Sequence, residues 1–304
     1  MGNLPTRSWR LSRHDLSVLG ALATLLGLAT LLWLVSPMAP AAQSATVWHT
    51  ARIHGHPIYY AVRGDGPTLV LLHGGGDSGQ HSFEHQLDVF AEHHRIIAPD
   101  QVGQGRTPAV AGPLSYTAMM QDTAALLQHL RLRNVDVIGF SDGGILALML
   151  ALRHPDMVRR AVISGVNVSP EGLSDANLEA LRAVQIEKPR TIDEKLARLW
   201  LTSPTESELS LDLLQNIRQP VLVVSGDRDA ITLEHTLKIF HALPTAELCI
   251  LPGTDHGTFS ARPEWLNPIM KDFLSRPHIG PTPGVDTPPD SDPPALHLTG
   301  GRAR

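Results

Sequence analysis

From residue 47 to residue 274 short apolar runs alternate with longer amphipathic stretches, and the alternation predicts the elements. Val47–Ile53 and Ile58–Val62 switch between polar and apolar positions on either side of His54-Gly55-His56-Pro57, which reads as an antiparallel hairpin. Apolar Leu69–Leu72, a helix over Phe83–His93, the strand Arg95–Ala98 and a helix over Tyr116–Leu132 follow. Then come the strand Asn134–Phe140, a helix over Gly143–Arg153 and the strand Val158–Gly165. Further on, Pro220–Ser225 and Glu247–Leu251 read as strands with a helix over Leu233–Leu243 between them. Such alternation implies the α/β class: a mainly parallel, doubly wound sheet covered by helices on both faces. Met119, Met120, Leu126, Leu127 and Leu130 fall on one helix face turned to the core.

Three segments break the pattern. Val166–Gln219 carries helical periodicity and no strand, with helices over Asn177–Val184, Ile192–Leu201 and Glu206–Ile217 set apart by Pro170, Pro189 and Pro204. At the amino end, residues 1–15 hold Arg7, Arg10 and Arg13, and Leu16–Val35 runs without a charge, long enough to span a bilayer as a helix. Ala39-Pro40-Ala41 and Ala42, in a linker over 36–46, offer cleavage sites. An uncleaved anchor and a cleaved signal peptide both place the domain over 47–274 on the non-cytoplasmic side, with the arginines inside. Residues 275–304 are rich in proline and read as a disordered tail.

The chemistry centres on Gly139-Phe140-Ser141-Asp142-Gly143-Gly144, between a strand and a helix. A strand turning sharply into a helix crowds its backbone, so glycine is required two residues either side of the serine. The serine hydroxyl then stands at the head of the sheet with a helix N-terminus behind it. Serine needs a base and a group to orient that base. Asp227 and Asp229 follow one predicted strand, and His256 follows the next. All lie past the carboxyl ends of strands, where ligands gather in open α/β sheets. Spacing alone leaves the two aspartates open.

With these residues in view, the chain resembles the α/β-hydrolase family from about Val47 to about Leu274. Thr68–Gly76 (T-L-V-L-L-H-G-G-G) resembles the strand and oxyanion loop of that family, and Ile96–Thr107 its P-D-x-x-G-H-G-x-S loop, with Gln104 where histidine is usual. The S-D-G-G elbow is most similar to bacterial esterases and the valacyclovir-hydrolase-like branch. The resemblance implies a triad of Ser141, Asp229 and His256, with Asp229 preferred over Asp227, an oxyanion hole from the N–H groups of Gly75 and Asp142, and a helical cap at about 166–219. The implied function is hydrolysis of a small or medium carboxylic ester through an acyl-enzyme, without a cofactor or metal. Lactonase, thioesterase, C–C hydrolase, perhydrolase, acyltransferase and aminoacyl-ester chemistry use the same triad, and a non-catalytic ligand-binding protein of this fold is the alternative from another class.

Some side chains carry a second reading. The Asp142 carboxylate, beside the nucleophile, either caps the elbow helix or pairs with the α-ammonium of an aminoacyl ester. His81-Ser82-Phe83-Glu84-His85 matches an inverted zinc-protease motif, though sixteen histidines produce such pairs by chance. His54, His56, His93 and His94 read as surface residues, and His73 as a structural hydrogen-bonder. Trp200, Leu201 and Phe140 are candidate acyl-pocket liners or ordinary core. A net charge of −5 and the absence of phosphate-binding glycine fingerprints point away from nucleic acid and nucleotides. Cys249, the single cysteine, reads as a buried core residue. Oligomeric state is not legible.

Overall fold

The inner strands of the sheet are rich in β-branched and aliphatic residues, and their alternation decides which helices each face receives. The computed structural model describes residues 45–183, 188–205 and 208–277, all within one compact unit, Ser44–Arg304. The strands are β1 (Val47–Ile53), β2 (His56–Arg63), β3 (Thr68–Leu72), β4 (Arg95–Pro99), β5 (Val135–Phe140), β6 (Val158–Ser164), β7 (Val221–Gly226) and β8 (Ala246–Leu251). The helices are α1 (Glu84–Ala91), α2 (Tyr116–His129), α3 (Asp142–Arg153), α4 (Asp175–Ala183), α5 (Ile192–Thr202), α6 (Leu211–Leu214), α7 (Leu233–Ala242), α8 (Thr258–Ala261) and α9 (Pro263–Ser275). The eight strands lie in the order β1-β2-β4-β3-β5-β6-β7-β8. β1, β2 and β4 pair antiparallel; from β4 across to β8 the pairing is parallel.

Successive residues of a strand point to opposite faces. Val70, Leu72, Val137, Ala161, Ile163 and Val223 join one buried cluster with α2 and α3. Leu69, Leu71, Ile138, Val162, Leu222 and Val224 join a second with α1 and α9. The central helix α3 is apolar almost all round, with Ile145 to Ala151 at 1% exposure or less, because it packs under β3, β5 and β6.

Several boundaries differ from the sequence expectation for identifiable reasons. The hairpin turn is only His54-Gly55, both at positive φ (46° and 89°), so His56 and Pro57 already belong to β2. A two-residue turn of this hand matches the twist of the flanking strands. Of the helix expected over Glu206–Ile217, residues 206 and 207 lie outside the described residues, and the described helix is Leu211–Leu214, capped by the Ser210 hydroxyl. Before it the Glu208 carboxylate accepts the Thr205 N–H at 3.0 Å. Cys249 is half-buried rather than core, since β8 is an edge strand. The expected anchor or signal, Leu16–Val35, and the proline-rich tail beyond residue 277 lie outside the described residues. Among the described residues no helix is long and apolar enough to cross a membrane.

Candidate active site

Ser141 is the single residue between β5 and α3, and it holds φ +50°, ψ −118°. Such a conformation costs about 1–3 kcal/mol in a non-glycine residue and persists only where its surroundings impose it. The Ser141 N–H donates to the Ser164 carbonyl at 2.8 Å, tying the elbow to the neighbouring strand. A methyl group at Gly139 would collide with the Gly143 carbonyl, and one at Gly143 with the Leu72 carbonyl. Backbone crowding therefore explains both elbow glycines.

The loops after β7 and β8 meet this serine. The Ser141 hydroxyl lies 3.0 Å from His256 Nε2, and His256 Nδ1 lies 2.6 Å from Asp229 Oδ1. With Nδ1–H donating to the carboxylate, Nε2 is left to accept from Ser141. The Asp229 side chain is fully buried. It also accepts the Ile231 N–H at 3.0 Å. Asp227 is exposed, and its Oδ1 accepts the Thr254 N–H at 3.1 Å instead of reaching His256. Backbone N–H groups, foremost that of Gly253, hold the Asp227 carboxyl below the usual range.

His256 has a platform that its motif did not announce. Gly165, at φ +63°, passes so close under the imidazole that a Cβ there would lie 2.6 Å from His256 Cε1. The Phe140 ring stands 5.1 Å from the imidazole. The buried hydroxyls of Ser164 and Thr258, 2.6 Å apart, join the histidine loop to β6. Phe140 therefore packs against the base and the Phe259 ring.

Gly75 and Asp142, the expected oxyanion donors, lie side by side. A Cβ on Gly75 would strike the Asp142 carboxylate and the Trp200 ring. Asp142 is the acidic residue in the first turn of α3, and its side-chain hydrogen bonds run to Tyr116 and Trp200. Its Oδ1 accepts the Tyr116 hydroxyl at 2.7 Å and the Trp200 Nε1–H at 3.0 Å. It is 5% exposed, and burial pushes its carboxyl up to about 6 against the pull of those two donors. The Tyr116 hydroxyl is in turn pushed well above its ordinary range by burial and by Asp142.

A cavity of about 460 Å³ opens over the serine, walled by Ser141, Asp142, Leu173, Asn177, Trp200 and Ile231 among others. The insertion after β6 supplies Leu173, Asn177 and Trp200, so it roofs the site as a cap. Leu201 is partly buried and does not wall the cavity. A second cleft, about 360 Å³ and lined by Trp48, His81 and Arg106, does not include the serine.

The remaining histidines separate clearly. His81 precedes α1, so His81 and His85 do not share a helix face. They bond Asp77 and Glu84 respectively, and no group of three or more metal-ligating side chains occurs among the described residues. His73 is buried, with Nδ1 at 2.7 Å from the Gly74 carbonyl, and burial lowers its pKa. His93 is exposed. His54 is exposed, as expected, whereas His56 and His94 are partly buried. The first two bracket the buried Asp122 carboxylate at 2.7 and 3.0 Å, and His94 is partly buried against the Phe90 carbonyl.

The family model described as alpha/beta hydrolase fold matches residues 67–202. The chain is 28% identical over 255 residues to the 2-hydroxymuconate semialdehyde hydrolase of Pseudomonas putida, covering 70% of this chain and 89% of that protein. It is 25% identical over 260 residues to the serine hydrolase BPHL of Homo sapiens, covering 77% and 89%. Among solved structures, the bromoperoxidase from Bacillus anthracis superposes with a TM-score of 0.66 at 22% identity, over 76% of this chain and all of that one. Sheet order, elbow and these similarities agree: the chain has the α/β-hydrolase fold.

Proposed function

We propose that this protein is a serine hydrolase that cleaves a small or medium carboxylic ester through an acyl-enzyme. The observation that carries the proposal is the hydrogen-bonded chain Ser141–His256–Asp229 opening into a walled cavity. His256 Nε2 takes the Ser141 proton as the oxygen attacks the acyl carbon, and the buried Asp229 holds the imidazole tautomer and stabilises the imidazolium. The N–H groups of Gly75 and Asp142 receive the developing oxyanion. His256 then returns the proton to the leaving alcohol, and water, activated by the same histidine, releases the acid. Similarity to named hydrolases supports hydrolytic chemistry in general; the ester preference rests on the serine nucleophile and the cavity.

One observation favours a narrower substrate class. An amide oxygen at position 142 would accept the same Tyr116 and Trp200 bonds, yet the chain keeps an acidic group in the cavity wall. A buried carboxylate is costly unless it meets a charge, and an ammonium group on the acyl portion, as in an aminoacyl ester, supplies one. Labelling by a fluorophosphonate and turnover of p-nitrophenyl butyrate, both lost in Ser141→Ala, test the first proposal. Equal turnover of a free-amine ester and its N-acetylated form would overturn the narrower one.

On localisation, the basic residues 1–15 and the uncharged Leu16–Val35 support a catalytic domain held on, or released to, the non-cytoplasmic side. Fractionation of the full chain, with the active domain found in the cytosol, would overturn that.

A further inference from the structure

Three consecutive glycines, Gly74, Gly75 and Gly76, form the loop that delivers the Gly75 N–H to the oxyanion. A glycine run is the most permissive backbone available, and a donor aimed at a transition state must be held within a few tenths of an ångström. Something outside the run must therefore fix it.

The fixing groups are His73, which directly precedes the run, and side chains of the loop that follows β4. His73 Nδ1–H donates to the Gly74 carbonyl at 2.7 Å, and His73 Nε2 accepts the Gln101 N–H at 2.8 Å. On the other side of Gly75, the Gly76 N–H donates to Gln104 Oε1 at 2.7 Å. Further along, the Gly79 N–H donates to Asp100 Oδ1 at 2.9 Å. His73, Asp100 and Gln104 are each at 5% exposure or less. The anchoring loop is itself closed: Gln104 N–H bonds the Gln101 carbonyl, Thr107 N–H bonds the Gln104 carbonyl, and Asp100 Oδ2 accepts the Arg106 N–H. Gly75 is bracketed on both sides, and among the described residues its own N–H has no protein acceptor.

We propose that Gln104 is the positioning residue of the oxyanion site: its side-chain oxygen engages the Gly76 amide, so that of this glycine run the Gly75 amide is the one presented to the ester oxygen, beside that of Asp142. This rests on the serine-hydrolase proposal above. The side-chain type matters in a specific way. A neutral acceptor holds the Gly76 amide without placing a negative charge near the site where the oxyanion forms, and its own NH2 lies only against Met119 Sδ, at 3.9 Å. Gln104 does not touch substrate in this scheme; it acts through the backbone.

The test is kinetic. Gln104→Met keeps the side chain's length and removes the acceptor, while Gln104→His restores an acceptor nitrogen. With p-nitrophenyl acetate, Gln104→Met should lower kcat at least tenfold with KM within twofold, and Gln104→His should recover kcat to within about threefold; loss of a whole oxyanion donor costs about 10²–10³. Affinity for an alkyl trifluoromethyl ketone, whose adduct oxygen occupies the oxyanion site, should fall in parallel with kcat/KM. A Gln104→Met enzyme with wild-type kcat and wild-type ketone affinity overturns the proposal. If that variant does not fold, amide exchange in the wild type decides. Gly76 should be protected without ligand, and Gly75 only after the ketone binds; Gly76 exchanging as fast as Gly75 overturns the assignment. Wild-type turnover that is absent, or that survives Ser141→Ala, overturns instead the serine-hydrolase proposal on which this one depends.

Discussion

Replacing Asp142 with asparagine should stabilise the protein at neutral pH. In the unfolded chain this carboxyl titrates at 3.8, and in the folded protein at about 6, because burial disfavours the charged form. Below about pH 3 the group is neutral in both states and the burial penalty on its charge vanishes. Between the two values the folded state keeps a proton that the unfolded state has lost, so stability falls as pH rises through that window, and above it the loss is complete. A gap of about two pK units corresponds to about 3 kcal/mol. The asparagine would keep an oxygen for the Tyr116 bond and the shorter Trp200 bond, losing only the longer Trp200 contact to Oδ2 at 3.2 Å along with the charge. Urea titrations of wild type and Asp142→Asn at intervals from pH 3 to pH 8 measure the difference directly. The expected curve starts near zero, climbs toward about 3 kcal/mol in favour of the variant by pH 6–7, and then levels. A difference that stays flat across the range, or a wild type more stable than the variant at pH 8, would refute the reasoning.

Other outcomes follow from the same geometry. Asp229→Asn should lower kcat about 10⁴-fold, since the wrong imidazole tautomer would face Ser141. Asp227→Asn should stay within about twofold of wild type; a steady-state comparison decides between the carboxylates. Gly165→Ala should cost about 1–2 kcal/mol for its left-handed backbone alone. It should also cut kcat through displacement of His256, read by thermal melting beside turnover. Trp200→Phe removes one donor to Asp142, so the inflection of the stability curve should move to higher pH. Leu148→Ala, in the fully buried centre of α3, should lose about 2–5 kcal/mol in urea unfolding with the active-site geometry kept.

The catalytic candidates were legible because the backbone dictates their neighbours. Gly139 and Gly143 are required by the tight strand-to-helix turn, and Asp229 and His256 each sit one loop past an apolar strand. Asp229 and Asp227 could not be separated by spacing, since only the path of the loop puts one of them on the imidazole. The environment of Asp142 was hidden for a similar reason. Tyr116 and Trp200 lie 26 and 58 residues away along the chain, and nothing local marks a tyrosine or tryptophan as a carboxylate partner. Gly165 looked like the end of a strand; only its positive φ and the imidazole above it show why a side chain is excluded there. The described part of the third cap helix begins only at Leu211, where the Ser210 hydroxyl accepts the Leu213 N–H, a start that helical periodicity does not register.

The cap leaves the sheet after β6 and returns at β7, two strands that pair directly in register, Ala161 with Val221 through Ser164 with Val224. Its endpoints are thus fixed by hydrogen bonds that owe nothing to its own sequence. Substitutions within residues 166–219 can therefore reshape the walls of the cavity while the strands that carry the nucleophile and the acid keep their alignment. Selection on what the pocket accepts is thereby separated from selection on whether the domain folds only at the cap's wall positions, because Leu196, Leu199, Leu209, Leu214 and Ile217 of this segment belong to the main buried cluster. Trp200 couples the two directly: its hydrogen bond to Asp142 reaches across from the cap to the fixed geometry of the elbow, so a change there alters both at once.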